Sequence, residues 1–215
     1  MSKKIYLSPS SQWNNKYAYG SYTEAEICGK IAEATRVALV RNGYDVRVGS
    51  NNATITQRVD ESNNWGAELH IPIHTNAGGG DGTLVMAYPT SVDNAYVKAI
   101  YQELATLTPG KDDGIKSRND LAEIKNTKCV CAYVECEFHD NSNLAQWIVA
   151  NVTNIGEAIA KGICKADCKN YVAESVQTKE VNYTVQVGAY SDYANAKAMA
   201  EKLRQAGFNC FIKDV

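Results

Sequence analysis

No stretch of this chain is long and apolar enough to span a bilayer, and no polybasic run marks a membrane anchor. Basic residues are not in excess: 22 lysines and arginines stand against 24 acidic residues, for a net charge of −2. That balance excludes a general nucleic-acid binder, whose footprint is basic. Prolines are few, at four, while 45% of residues are hydrophobic and 13 are tyrosines, which excludes a mainly disordered chain. The seven cysteines contain no Cys-x-x-Cys pair, so reduced, mostly buried thiols are expected rather than a zinc-thiolate or disulfide framework. The start, Met1 to Pro9, carries two lysines and no long apolar run. It predicts no secretory signal peptide and a protein made in the cytoplasm.

The length of 215 residues allows one core, or a domain of about 160 residues with an appendage. Along the chain, short apolar strands alternate with amphipathic helices. Ile5–Leu7, Val46–Val48, Leu69–His74, Thr83–Tyr88, Leu121–Ile124 and Val130–Glu135 read as strands. Thr23 to Asn42 reads as a helix, with Thr23 and Glu26 as a capping box and Asn42-Gly43 as the stop. Ile55–Trp65, Val92–Leu107 and one long closing helix from Leu144 to Ile163 follow the same logic. The alternation predicts an α/β fold: a three-layer domain over 1–164, with a mostly parallel sheet flanked by helices. Residues 165–181 are polar and aperiodic and read as a linker. Residues 182–215 read as a small β-α-β unit, with strands at Tyr183–Tyr190 and Phe208–Ile212, too small to bury a core alone.

Ligands of open α/β sheets bind beyond the carboxyl ends of the strands. The polar residues expected there are Ser8, Ser10, Ser11, Gln12, Asn14 and Asn15 after the first strand, and Glu24 in the first turn of the first helix. His74, Asn76, Glu135, Glu137 and His139 follow at later strand ends. His70 lies four residues before His74, hence on the same strand face. Imidazole and carboxylate ligands with one open position make a catalytic zinc site, and a further carboxylate nearby can deprotonate water. Spacing alone leaves a metal hydrolase and a polar structural cluster both open. The Gly78–Gly80 run reads as a flexible turn, and Arg58 as support for the sheet edge.

Four segments carry a family resemblance. They are Lys4-Ile-Tyr-Leu-Ser-Pro9, Glu24-Ala-Glu-Ile-Cys-Gly-Lys-Ile-Ala32, the Gly66–Ala77 segment ending His74-Thr-Asn-Ala77, and Ala132-Tyr-Val-Glu-Cys-Glu-Phe138. Residues 4–164 resemble the zinc-dependent N-acetylmuramoyl-L-alanine amidases of the Amidase_3 family, which includes autolysins and phage endolysins. The resemblance implies hydrolysis of the amide between N-acetylmuramic acid and L-alanine in peptidoglycan. It makes Glu24 and His74 zinc ligands and Glu135 the catalytic base. Where the family carries its first histidine ligand, this chain has Ser10-Ser11-Gln12, a Ser-Pro-Ser-x-Gln version of clostridial type. The third ligand is then Gln12, with His139 the alternative. Asn76 and Glu137 are candidates for substrate contact, and Asn76 alternatively caps the loop after its strand. Glu137 replaces a glycine of the family. On a regular strand it shares a face with Glu135 and raises its pKa by repulsion; a solvated carboxylate is the other reading.

Tyr183-Thr-Val-Gln-Val-Gly-Ala-Tyr-Ser191, Asn195-Ala196 and Leu203-x-x-x-Gly207-Phe208 resemble one half of a SPOR repeat. That implies binding to peptidoglycan glycan strands. Because one β-α-β unit cannot cover its own apolar face, two copies are expected to pair, making a homodimer. The whole reads as an enzyme acting on the cell wall after release, as a phage endolysin or a lysin freed by lysis does. The alternatives are a catalytically inactive peptidoglycan-binding protein and a zinc peptidase on a similar scaffold.

Overall fold

The computed structural model describes residues 2–111, 113–174 and 186–213. The chain falls into two compact units, Met1–Glu174 and Ser175–Val215.

In the first unit, the apolar runs become strands β1 (Lys4–Pro9), β2 (Asp45–Val48), β3 (Leu69–Asn76), β4 (Leu84–Ala87), β5 (Gly114–Ser117), β6 (Val130–Cys131) and β7 (Tyr133–Phe138). They form one seven-stranded sheet of order β2-β1-β3-β7-β4-β5, with β6 beside β3. Every pairing is parallel except β4 with β7. The central strand β3 is buried along almost its whole length, as a strand covered on both faces must be.

Helices cover the two faces. On one side, α1 (Glu24–Arg41), α3 (Ala95–Leu107), α5 (Ser142–Ala150) and α6 (Val152–Ala166) pack over Ile71, Ile73, Val134 and Cys136. On the other, α4 (Ala122–Asn126), which packs beside α2 (Ile55–Trp65), brings Ile124 into a smaller cluster with Leu84, Met86, Cys131 and Tyr133. The Thr23–Glu26 capping box is formed, and Gly43, at φ +81°, takes the left-handed turn that ends α1. Glycine also sets how α6 packs. A Cβ on Gly156 would stand 2.7 Å from the Thr35 nitrogen, and one on Gly162 2.7 Å from the Ile100 Cα. All seven cysteines are free thiols.

Several elements differ from the expectation. Leu121–Ile124 is not a strand: Glu123 and Ile124 turn inward on the short helix α4 against α2. Four residues of mixed polarity fit either period, and packing decides. The edge strand β5 was hidden by its polarity, since Lys116 and Ser117 face solvent. The long closing helix breaks at Asn151 into α5 and α6, and α3 starts only at Ala95, after its cap Asn94. The first part of the expected linker belongs to this unit. Asp167 accepts from the Tyr44 hydroxyl at 2.8 Å and also bonds Lys3 and Tyr96, while the Val172 carbonyl accepts from Arg41 Nε at 2.9 Å.

In the second unit, α7 (Tyr193–Gln205) is capped by Asp192, which accepts from the Ala194 amide at 2.6 Å. Ala200 is its buried residue. The expected strand at Tyr183–Tyr190 begins outside the described residues, and 186–190 form no strand. Nor does Phe208–Ile212. It uses its polar groups locally instead: the Phe208 amide donates to the Leu203 carbonyl, and the Cys210 carbonyl accepts from Arg204. Val187, Tyr190, Tyr193, Phe208 and Phe211 are exposed.

Candidate active site

The site forms where β1, β3 and β7 end and α1 begins. Glu24 is the first residue of α1, where the positive end of the helix dipole favours a carboxylate. The loop from Ser10 to Thr23 folds back over the strand ends. The Ser10 amide donates to Ile73, Glu24 to Asn15, Ala18 to His139, and His139 to Asn76, all at 2.8–2.9 Å.

Glu24 and His74 meet: Nδ1 of His74 lies 2.8 Å from Oε1 of Glu24. Both are buried, and the His74 ring stacks on Tyr133 at 4.6 Å between centroids. Burial by itself raises the Glu24 pKa. The hydrogen bond and charge of His74, with hydrogen bonds from Ser10 and Asn15, outweigh it and hold the carboxyl below its usual range. Gln12 reaches the same place, its Nε2 3.5 Å from Glu24 Oε1.

Glu135 pairs in register with His74 on the adjacent strand. Its Oε2 is buried without a hydrogen-bond partner, as is Nε2 of His74. Burial first, and then repulsion from Glu24, push the Glu135 pKa up to about 7 against the attraction of His74. A carboxyl with a pKa near 7 can both take and return a proton at neutral pH.

Glu137 is neither a solvated carboxylate nor the source of repulsion on Glu135. The register between β3 and β7 slips past His74, so that Asn76 faces Phe138 and β7 carries one extra residue, a bulge. Glu137 is fully buried, and its Oε1 accepts from the amides of Gly82 at 2.6 Å and Phe138 at 2.8 Å. It is a structural anchor, and the carboxylate that repels Glu135 is Glu24. Asn76 caps its own loop, with Oδ1 accepting from the Ala77 amide at 2.9 Å. The glycine run is tied as well: the amides of Gly78 and Gly79 donate to Asp140 Oδ2 at 2.7 and 2.8 Å.

His139 is buried, and burial lowers its pKa. Both ring nitrogens are engaged, Nδ1 with Thr75 Oγ1 at 2.9 Å and Nε2 with Asn15 Oδ1 at 3.0 Å. It reaches Glu24 only through Asn15. His70 stays apart from the site, between Ser62 Oγ at 2.9 Å and Glu123 Oε1 at 3.3 Å. Arg58 is buried and bonds the Pro9 carbonyl and Ser11 Oγ, which fixes the turn that carries Gln12.

Among the described residues, no group of three or more histidine, cysteine, aspartate or glutamate side chains could hold a metal ion. The donors that converge are one imidazole, one carboxylate and the neutral amide of Gln12. A buried His74 nitrogen and a buried Glu135 oxygen beside them lack partners. This set fits a divalent cation, held more weakly than by imidazole in the third place. Sequence reasoning placed Asn15 and Thr75 at strand ends but gave neither a role in the site. Asn15 stood among the polar residues after the first strand, but no spacing rule tied it to Glu24.

A family model described as N-acetylmuramoyl-L-alanine amidase matches residues 11–165, and a SPOR domain model matches residues 179–214. The N-acetylmuramoyl-L-alanine amidase CwlM of Bacillus licheniformis is 26% identical over 219 residues, covering 97% of this chain and 84% of that protein. A sporulation-specific N-acetylmuramoyl-L-alanine amidase of Bacillus subtilis is 24% identical, with the same coverage. Among solved structures, the catalytic domain of CwlV from Bacillus (Paenibacillus) polymyxa shares the fold with a TM-score of 0.70 at 19% identity, covering 78% of this chain and 99% of that one. Cwp6 from Clostridium difficile gives 0.71 at 22% identity over 77% of this chain, which spans only 29% of Cwp6. The fold, mixed α/β with a mostly parallel sheet, is that of amidase catalytic domains. The chain belongs to the N-acetylmuramoyl-L-alanine amidase family Amidase_3 and carries a SPOR domain behind the amidase domain.

Proposed function

We propose that the chain hydrolyses the amide between N-acetylmuramic acid and L-alanine in peptidoglycan, and that it depends on zinc to do so. The observation that carries this reading is Glu135. It is a half-buried residue whose carboxyl has a pKa near 7 and a buried, unpartnered oxygen, in register with His74, which itself holds Glu24. Glu24, His74 and the Gln12 amide would hold the zinc, which would supply Lewis acidity at the scissile carbonyl. Glu135 takes the proton of the water and delivers it to the leaving amine of L-alanine. Glu24 stays ionised, because its pKa is held down, and does not compete for that proton.

The C-terminal half-repeat serves attachment to glycan strands, and its exposed Tyr193, Phe208 and Phe211 suit pairing with a second copy. No helix among the described residues is long and apolar enough to cross a membrane. The protein acts on the cell wall.

The test is incubation of the full-length protein with sacculi, with and without chelator, reading new amino groups and new reducing ends. Amino groups that disappear with chelator support the reading. Reducing ends alone, or no product, overturn it. Light scattering of the full chain at micromolar concentration tests the pairing, and a monomer there ends that part.

A further inference from the structure

Asn15 bridges Glu24 and His139. Its Nδ2 donates to Glu24 Oε2 at 2.7 Å, and its Oδ1 lies 3.0 Å from Nε2 of His139. The same Nδ2 is 3.3 Å from Gln12 Oε1. Beyond His139, Nδ1 lies 2.9 Å from Thr75 Oγ1, which lies 3.0 Å from the Tyr17 hydroxyl, and the Tyr17 and His139 rings stack at 4.9 Å.

These contacts run in one direction only. Glu24 is an acceptor, so the amide nitrogen of Asn15 must face it and the amide oxygen must face His139. Nε2 of His139 therefore carries the proton. Nδ1 is then bare and accepts from the Thr75 hydroxyl, whose oxygen in turn accepts from Tyr17. The chain ends at Glu24, whose other oxygen accepts from Nδ1 of His74. Every polar atom along it is satisfied, and its anchor, the Tyr17–Thr75–His139 group, is buried.

We propose that Asn15, fixed by His139, is a positioning residue that holds the Glu24 carboxylate and the Gln12 amide in place to bind a divalent cation. His139 thereby contributes to cation binding without being a ligand. The inference rests on the reading of Glu24 and His74 as a metal-holding pair. Hydrogen-bond partners behind metal ligands set affinity, typically by about 10- to 100-fold.

The test measures zinc affinity of the chelator-stripped full-length protein by competition with a chromogenic chelator, without substrate. Asn15→Ala is expected to weaken zinc by about 10- to 100-fold while leaving the melting temperature of the metal-free protein nearly unchanged. His139→Ala is expected to weaken zinc as well, and the double variant to bind no more weakly than Asn15→Ala alone, because both act through one chain. Should His139→Ala fail to fold, His139→Gln, whose amide N–H can still face Asn15, is expected to retain most of the affinity.

Unchanged affinity in Asn15→Ala overturns the proposal. So does an additive double variant, which would make His139 an independent ligand, and so does a wild-type protein that takes up no zinc. Failure to release amino groups from sacculi is a separate result. It sinks the amidase reading and leaves this measurement standing.

Discussion

His74 on β3 stands directly opposite Glu135 on β7, and each keeps one buried polar atom without a hydrogen-bond partner. Two unsatisfied groups side by side cost folding free energy that an apolar pair would not. The fold keeps them at the strand ends, where open α/β sheets bind their ligands.

Glu135→Gln follows from this cost. In the free chain the carboxyl titrates near 4.5, and in the folded protein near 7. The folded state therefore binds the proton more tightly, so stability falls as pH rises from about 4.5 to about 7 and the full penalty stands above that. Glu135→Gln should abolish release of amino groups from sacculi and leave sacculus binding intact. In chelator-stripped protein it should also raise stability at pH 8 by on the order of 2 kcal/mol, with little change at pH 4. Urea melts of both proteins at the two pH values check it.

The positions of Glu24, His74 and Glu135 were legible because strand ends and a capped helix start are local features, written in runs of a few residues. The capping box at Thr23 and Glu26 is the clearest case. Glu137 was misread because the two-residue period of a strand assumes an unbroken ladder, and the bulge after Glu135 adds one residue to β7. His139 was open as a ligand because its partners, Asn15 and Thr75, come from a loop and a strand more than 60 residues away in sequence. Such closure depends on how the β1–α1 loop folds over the sheet, which no periodicity encodes.

Arg58 is a buried charge that bonds Pro9 and Ser11 just before Gln12. Arg58→Met removes both hydrogen bonds and leaves the Pro9 carbonyl without that partner. The expected loss is about 1–3 kcal/mol of stability, together with weaker zinc binding, because the turn that carries Gln12 is no longer held. Chemical denaturation and chelator competition on the same preparation check both effects.

Gly162 lets α6 approach α3 closely, and the Cβ of an alanine there would meet the Ile100 backbone at 2.7–2.8 Å. Backbone cannot rotate away as a flexible side chain can, so the helices must separate. Gly162→Ala should cost about 1–3 kcal/mol in spite of alanine's better helix propensity. Gly43→Ala, where a Cβ meets nothing within 4 Å but φ is +81°, should cost about 1 kcal/mol through backbone strain alone. Thermal melts of the two variants should rank them in that order.

Asp167 gives the pH dependence of the first unit a specific limb. It ends α6 and gathers Lys3, Tyr44 and Tyr96 around its carboxylate. Burial alone would raise its pKa, but the hydrogen bonds from Lys3, Tyr96 and Tyr44 hold it below 3.8. A carboxyl depressed on folding contributes stability that is fully present above its unfolded pKa and is lost as pH falls through the folded value. Asp167→Asn keeps the shape and removes the charge. It should lower stability at pH 6–7 by on the order of 1 kcal/mol and flatten the decline below pH 4, so that wild type and variant converge in acid. Urea denaturation at half-unit steps from pH 3 to pH 7 reads this directly. Parallel curves across that range would show that the Asp167 charge does not set the limb.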